Sequence, residues 1–446
     1  MSAKPPPVAQ RRPYRHSYHG VDLDDPYFWL QDPGYPQVED TDVLAYLDEE
    51  NAYVESWYEP QRGLTQTLFE ELKGRKPEQD ESVPYEKNGY RYQWRFNAGD
   101  QYRVWLRQSA TDDSEQWSTL LNENTLAEGC EYFRLGALAV SPDGTMLAYS
   151  TDTNGSERFT LKVIDIASGE VLTTAIENCA GSVIWNADSH GFAYRLVNEN
   201  WRPDRALYRE LTSGEDTLLY QEKDDSFFVG LGLSQSEQLM FISSGDHVTS
   251  EVRFVPRDNL RAEQTLIATR REGHEYDVEH QGDDAETGRL IIRSNRNHPN
   301  FDLFETPVAT PEEVHWQILL PGDESHYLMG HVAFAEALIV CLRINGLDQV
   351  QIVDNSGSHL IEFPEPAYSV DLGTNPNYRT NALRLAYTSM VTPHTVFDYH
   401  WQTKSLMRLK VQGIPGGYEA SDFVSERRQV IARDGAQVPM SVVRHK

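Results

Sequence analysis

The sequence predicts a mainly β protein, a seven-bladed β-propeller behind an N-terminal helical segment. Three observations lead there. Helical periodicity is confined to residues 1–76. From about Pro77 to about Gly416, short strand-like runs alternate with turn signals. Those runs recur as about seven units of roughly 45–50 residues, each with room for four strands, which is the size of a propeller blade. One such blade cannot cover both of its faces, whereas a closed ring of them can. Seven copies at a steady period do not fit one β-sandwich.

The N-terminal segment opens with an aromatic, turn-rich stretch, PYFWLQDP (Pro26 to Pro33). TDVLAYLDEENAYVESWYEP then reads as a helix. Val43, Leu47, Val54 and Trp57 recur near helical spacing, and Pro60 is expected to stop it. Asp40, Thr41 or Asp42 can cap its start. A second helix is expected over LTQTLFEELKGR, with Leu64, Leu68 and Leu72 on one face and Gly74 after its end. Two helices are too few to hold a core, so their apolar faces need a larger body.

The repeat begins with GYRYQWRFNAGDQYRVWLRQ, two strands around Ala98-Gly99-Asp100. FRLGALAVSPDGTMLAYSTD with TLKVIDIASGEVL gives strand, Ser-Pro-Asp-Gly turn, strand and hairpin. The pattern recurs as GSVIWNADSHGFAYRLV with ALYRELTSGEDTLLY, and as FFVGLGLSQSEQLMFISS with SEVRFVP. Later copies are YDVEHQGDDAETGRLIIRS with FDLFETP, LMGHVAFAEALIVCLRI with VQIVDNSGSHLIEF, and YSVDLGTNPNYRTNALRLAYTS with VFDYHWQTKSLMRL. The propeller is therefore assigned to residues 77–416. In residues 417–446 a Gly- and Pro-rich linker, QGIPGGYEASDF, gives way to a hairpin, RRQVIARDGAQVPMSVVRHK, turned at Asp434-Gly435. A lone hairpin needs a further surface on which to bury its apolar side.

Composition bounds the function. The 446 residues carry 40 Lys and Arg against 69 Asp and Glu, a formal charge of −29. Such a chain binds nucleic acid poorly, is repelled by anionic membrane surfaces and attracts cationic ligands. No apolar run approaches the ~20 residues of a membrane span, and the first residues lack the apolar core of a secretory signal. Cys130, Cys179 and Cys341 are too few and too scattered for a disulfide framework, so they read as small buried hydrophobes in a reducing, cytoplasmic protein. The Asn154-Gly155-Ser156 sequon carries no weight there.

The search for chemistry returns no catalytic, cofactor-binding or metal residue. A G-x-S-x-G nucleophile turn is absent; Ser156, Ser182 and Ser358 follow glycines, but in turn-like patterns. His16 and His19 precede any expected helix, so their spacing does not set two ligands on one face. In HEYDVEH, His274, Tyr276, Val278 and His280 share a strand face, but its ends lie about 20 Å apart, too far for one zinc. No Gly-rich phosphate loop occurs. Asp48-Glu49-Glu50 and Asp283-Asp284 read as solvated charge.

A family resemblance adds to this. DPYFWLQD followed by YLDEENAY resembles the start of the prolyl oligopeptidase family of serine peptidases. EKDDSFFVG with TSEVRF, then REGHEYDVEH, IIRSNRNHPNFDLF, AYTSMVTPHTVFDY and SERRQVIARDGAQVPMSVV are similar to its oligopeptidase B (protease II) branch, in family order over nearly the whole chain. Phe28 and Gln31 depart from the first motif. The resemblance implies a seven-bladed propeller and N-terminal helices that pack on an α/β-hydrolase domain. That domain would begin with the hairpin at Arg427 and continue beyond Lys446, making this chain a truncated part. Its Ser-Asp-His triad, and the acidic groups that favour cleavage after Arg and Lys, would lie in the missing portion, so no catalytic residue is carried over and the chain alone is expected to be inactive. The propeller would limit access to short, cationic peptides, with hinges near Lys76 to Pro84 and Gly413 to Tyr418. A separately encoded hydrolase chain is a further expected partner. The alternative is a stand-alone, non-catalytic propeller that binds peptides or proteins. Without a partner, Val43, Leu47, Val54, Trp57, Val438 and Val442 are expected to be exposed and to promote association.

Overall fold

The computed structural model describes residues 5–34, 37–111 and 116–446. Its first unit comprises Met1–Pro77 with Ile414–Gly417. Strands Arg15–Tyr18 and Val21–Asp24 form a small hairpin. His19 and Gly20 turn it with φ of 51° and 77°, as a tight hairpin turn requires. Helix α1 (Thr41–Tyr58) starts at Asp40, whose side chain accepts from the N–H groups of Asp42 and Val43.

Pro60 does not end the helical run. A 3₁₀ turn at Glu59–Gln61 leads without a loop into α2 (Arg62–Gly74). Pro60 falls in the first positions of that turn, where a missing N–H removes no helical hydrogen bond. Gly74 is the last helical residue rather than the one after. Val43 is buried at 4% exposure, contrary to expectation, whereas Leu47, Val54 and Trp57 on α1 and Leu64, Leu68 and Leu72 on α2 are exposed.

The second unit comprises Glu78–Gly413 with Tyr418–Lys446, and its body is a β-propeller. Its sheets follow one another along the chain: one of five strands (80–122), one of seven (134–221), and four of four strands (228–268, 276–320, 326–360 and 369–411). All are antiparallel. Apolar layers lie between neighbouring sheets. Leu239, Val252 and Phe254 pack against Leu290, Ile292 and Phe304. Phe334, Ile339 and Ile352 pack against Leu383, Leu385 and Tyr399 in the same way. Alternation along each strand explains this: successive side chains face opposite neighbours, so both faces are covered.

Seven separate sheets do not form, because one strand belongs to two repeats. Strand β1 (Ile176–Trp185) pairs at its start with Phe159–Asp165. Its end pairs with β2 (Gly191–Val197). The register shifts between Cys179 and Val183, and Asn178 and Gly181 adopt positive φ on either side of Cys179. The connection between two repeats thus stays extended and hydrogen-bonded instead of looping out. The innermost strands of the next two sheets are β3 (Phe228–Leu233) and β4 (Tyr276–Gln281).

The ring closes through polar contacts. Lys410 pairs with Asp80 and donates to the Glu81 carbonyl. Arg384 donates to the Pro84 carbonyl at 2.7 Å and pairs with Asp398 at 2.9 Å. Among the described residues no strand of the last sheet joins the first.

The terminal hairpin, β5 (Phe423–Ile431) with β6 (Gln437–His445), groups with this second unit. Gly435 turns it at φ 87°, and Asp434 accepts from the Ala436 N–H at 3.0 Å. Arg427 donates to the Asn345 carbonyl. Val430, Ile431, Val438, Met440 and Val443 are exposed, while Val442 is half-buried.

Candidate functional site

The propeller brings its innermost strands around a central channel, and the polar residues meet there. At one end the turns after the innermost strands converge under a single loop, residues 373–381. Gln235 donates to the Asn375 carbonyl at 2.7 Å. Asn377 donates to the Glu86 carbonyl at 2.9 Å. The Ala335 N–H donates to Tyr378 at 3.1 Å, and Arg379 pairs with Asp283 at 2.5 Å. This one loop therefore contacts four other sheets. Beside it, Glu237 holds Lys87 and Arg257 together. Burial works against the Glu237 charge, but the two cations hold its carboxyl below the usual range. A polar cavity of about 680 Å³ opens among Glu237, Arg257, Asp284, Tyr378 and Arg379.

From the other direction a groove of about 540 Å³ runs along β3 and reaches Asp277 and Glu279 on β4. Asp277 pairs with Arg293 at 2.6 Å and lies 3.4 Å from the buried His331 ring. Burial pushes the Glu279 carboxyl up to about 7; the His280 and Gln235 N–H groups oppose this and the Asp277 charge adds to it. Arg195 enters the same groove from β2. Its Nε donates to Ser182 Oγ at 3.1 Å and its Nη1 to the Val229 carbonyl at 2.8 Å.

Residues singled out from the sequence take structural places. His280 Nδ1 meets Ser236 Oγ at 2.7 Å, while its Nε2 lies 3.0 Å from the Thr287 carbonyl. The carbonyl requires Nε2–H, so Nδ1 accepts from the serine. This is a serine–histidine pair in form, but His280 and Ser236 are buried at 0% and 5% exposure. Ser236 also bonds Ser234 Oγ at 2.8 Å. The pair braces a turn and is closed to substrate. His274 likewise bonds Ser294 Oγ at 2.9 Å and stacks on Tyr276. His16 packs among Tyr14, Tyr18 and Phe28. Ser156 accepts from the Arg158 N–H, and Ser358 lies in an edge strand. Burial pushes the Cys179 thiol up to about 12 and the Cys341 thiol to about 11, and the three cysteines are unpaired. Asp48 and Glu49 are exposed on α1. Asp283, by contrast, holds the loop of residues 373–381 through Arg379.

Among the described residues no three His, Cys, Asp or Glu side chains gather as metal ligands, and no helix is long and apolar enough to cross a membrane. The channel groups that matter most, Arg195, Ser182, Glu237 and Glu279, were not singled out by sequence for this role. The one local signal available for them is the Gly-x-Gly of β3, Gly230 and Gly232, unusual in a strand interior.

Fold and site together define a β-propeller with polar cavities lined by residues of both charges where its sheets converge. Residues 6–412 match the family described as "Prolyl oligopeptidase, N-terminal beta-propeller domain", and the chain belongs to that family. It is similar to dipeptidyl aminopeptidase BI of Pseudoxanthomonas mexicana, at 32% identity over 100% of this chain and 63% of the relative. It is also similar to protease 2 of Moraxella lacunata, at 31% identity over 98% of this chain and 63% of the relative. Among solved structures, oligopeptidase B from Trypanosoma brucei, in a closed form with covalently bound antipain, superposes with a TM-score of 0.89 at 26% identity, covering 99% of this chain and 65% of that one. The chain thus spans less than two thirds of the length of these relatives.

Proposed function

We propose that this chain is the N-terminal and propeller part of an oligopeptidase B-like serine endopeptidase that cleaves short peptides after Arg or Lys, with the propeller governing which substrates reach the chemistry. The observation that carries this reading is the channel itself. One loop bonded to four other sheets covers one end. The groove on the other side presents Asp277 and Glu279, in a chain of charge −29 that concentrates cationic peptides.

We read the seven-stranded sheet as two four-stranded blades sharing β1, which makes a seven-bladed ring. The register shift between Cys179 and Val183 supports that division. Residues 1–76, 77–416 and 417–446 are then a helical segment, the propeller, and a linker with the first hairpin of a peptidase domain. Three unpaired cysteines accord with a reducing, cytoplasmic setting. The triad chemistry belongs to a domain outside these residues, whether on the same polypeptide or on a separately encoded partner.

The test is to assay the pure chain with an Arg-containing fluorogenic peptide. No turnover is expected. Turnover abolished by a serine-directed inhibitor would overturn the assignment of catalysis to another domain.

A further inference from the structure

We propose that the groove along β3 binds the C-terminal end of a short, extended peptide, with Arg195 taking the free α-carboxylate. β3 is the first strand of its sheet and pairs only with Leu239–Gly245. Among the described residues its other edge carries no strand. The Val229 carbonyl accepts from Arg195, so it points to that unpaired edge. Strand alternation places the N–H and C=O of Leu231, two residues on, along the same edge. Over the face of the strand, Gly232 leaves open space in the groove: a Cβ there would meet no heavy atom within 4 Å. An extended peptide can lie against such a strand through main-chain hydrogen bonds.

Arg195 supplies the charge that orients the peptide. Its Nε and Nη1 are held by Ser182 and Val229, and among the described residues no carboxylate contributes to its setting. A half-buried guanidinium without an anion is costly, and Nη2 remains to donate to one. Asp277 and Glu279 line the same groove, two residues apart and so on one face of β4. They complement a basic side chain beside the carboxylate. The ligand class is therefore a short peptide ending in a free Arg or Lys, which is what cleavage after a basic residue leaves. The binding site rests on the geometry, and its meaning as a product site rests on the proposed function.

The experiment is fluorescence anisotropy of N-terminally labelled Ala-Ala-Ala-Arg, as free acid and as C-terminal amide, titrated with the whole chain. The free acid should bind about tenfold more tightly or better. Arg195→Gln should remove that difference. Gly232→Val, which fills the groove without touching a charge, should abolish binding of both peptides while circular dichroism stays unchanged. Equal binding of acid and amide, or a preference that survives Arg195→Gln, would overturn the inference and leave peptide entry into the channel intact. Failure of both peptides to bind the wild-type chain would overturn peptide entry as well.

Discussion

Replacing Glu279 by Gln should stabilise the propeller in a pH-dependent way. The Glu279 carboxylate accepts from the His280 N–H at 2.7 Å and the Gln235 N–H at 2.9 Å. Burial outweighs those bonds and moves the carboxyl from 4.5 up to about 7. A folded value above the unfolded one means that folding takes up a proton. This contribution is complete below 4.5 and is lost as pH rises through about 7. At 1.4 kcal/mol per pH unit, the cost of holding Glu279 ionised reaches about 3 kcal/mol at pH 8. The residue is half-buried, so solvent in the groove screens part of it, and a gain of about 1–3 kcal/mol is expected. Gln keeps an acceptor oxygen for both N–H groups and cannot ionise. Urea unfolding followed by tryptophan fluorescence at about pH 4.5 and pH 8 measures this directly. The variant should match the wild type within about 0.5 kcal/mol at the lower pH and exceed it at the higher. An equal offset at both values, or none at pH 8, would refute the reasoning.

Other outcomes follow from the same structure. Glu222 bonds Arg270 at 2.6 Å and has 7% side-chain exposure. Burial would raise its carboxyl, but Arg270 and Ser244 bring it to about 2. The pair therefore stabilises above 4.5, and that stability is lost as pH falls through about 2. Arg270→Met should cost about 3 kcal/mol at neutral pH, and an acid titration by circular dichroism should show unfolding at higher pH than in the wild type. Lys410→Met should loosen the ring where it closes on Asp80. Hydrogen exchange should then quicken in residues 80–87 and 382–388 and stay unchanged in 228–268; uniform quickening would contradict a seam. Leu64→Lys with Leu68→Lys, both at exposed sites, should raise solubility and reduce self-association in sedimentation velocity. Unchanged association would put the sticky surface elsewhere.

Much of the propeller was legible because its signals are local. The Ser141-Pro-Asp-Gly144 turn forms as the sequence implies, with Gly144 at φ 75° and its N–H on the Ser141 carbonyl at 2.9 Å. Asp434-Gly435 behaves likewise. HEYDVEH is a strand only from Tyr276 onward, with Tyr276 and Val278 in one apolar layer, and His274 and Glu275 precede it. What escaped was decided by partners distant in sequence. Lys410 meets Asp80 across nearly the whole propeller sequence, and Gln235 meets Asn375; no spacing announces either. The first half of β1, residues 176–180, fell between two repeats because hydrophobic pattern does not record where hydrogen bonding continues. Pro60 misled because its effect depends on whether the chain resumes helical dihedrals, and here a 3₁₀ turn lets it. Arg195 gave no signal because the Val229 carbonyl it bonds lies in a neighbouring sheet.

We propose that the propeller admits short peptides and holds larger substrates away from the chemistry. The most direct measurement joins this chain to the peptidase domain of a relative such as Moraxella lacunata protease 2. It compares kcat/KM for a short Arg-containing peptide with that for the same sequence displayed on a folded protein. Cleavage of the peptide and none of the folded protein is expected. Comparable cleavage of both would contradict it.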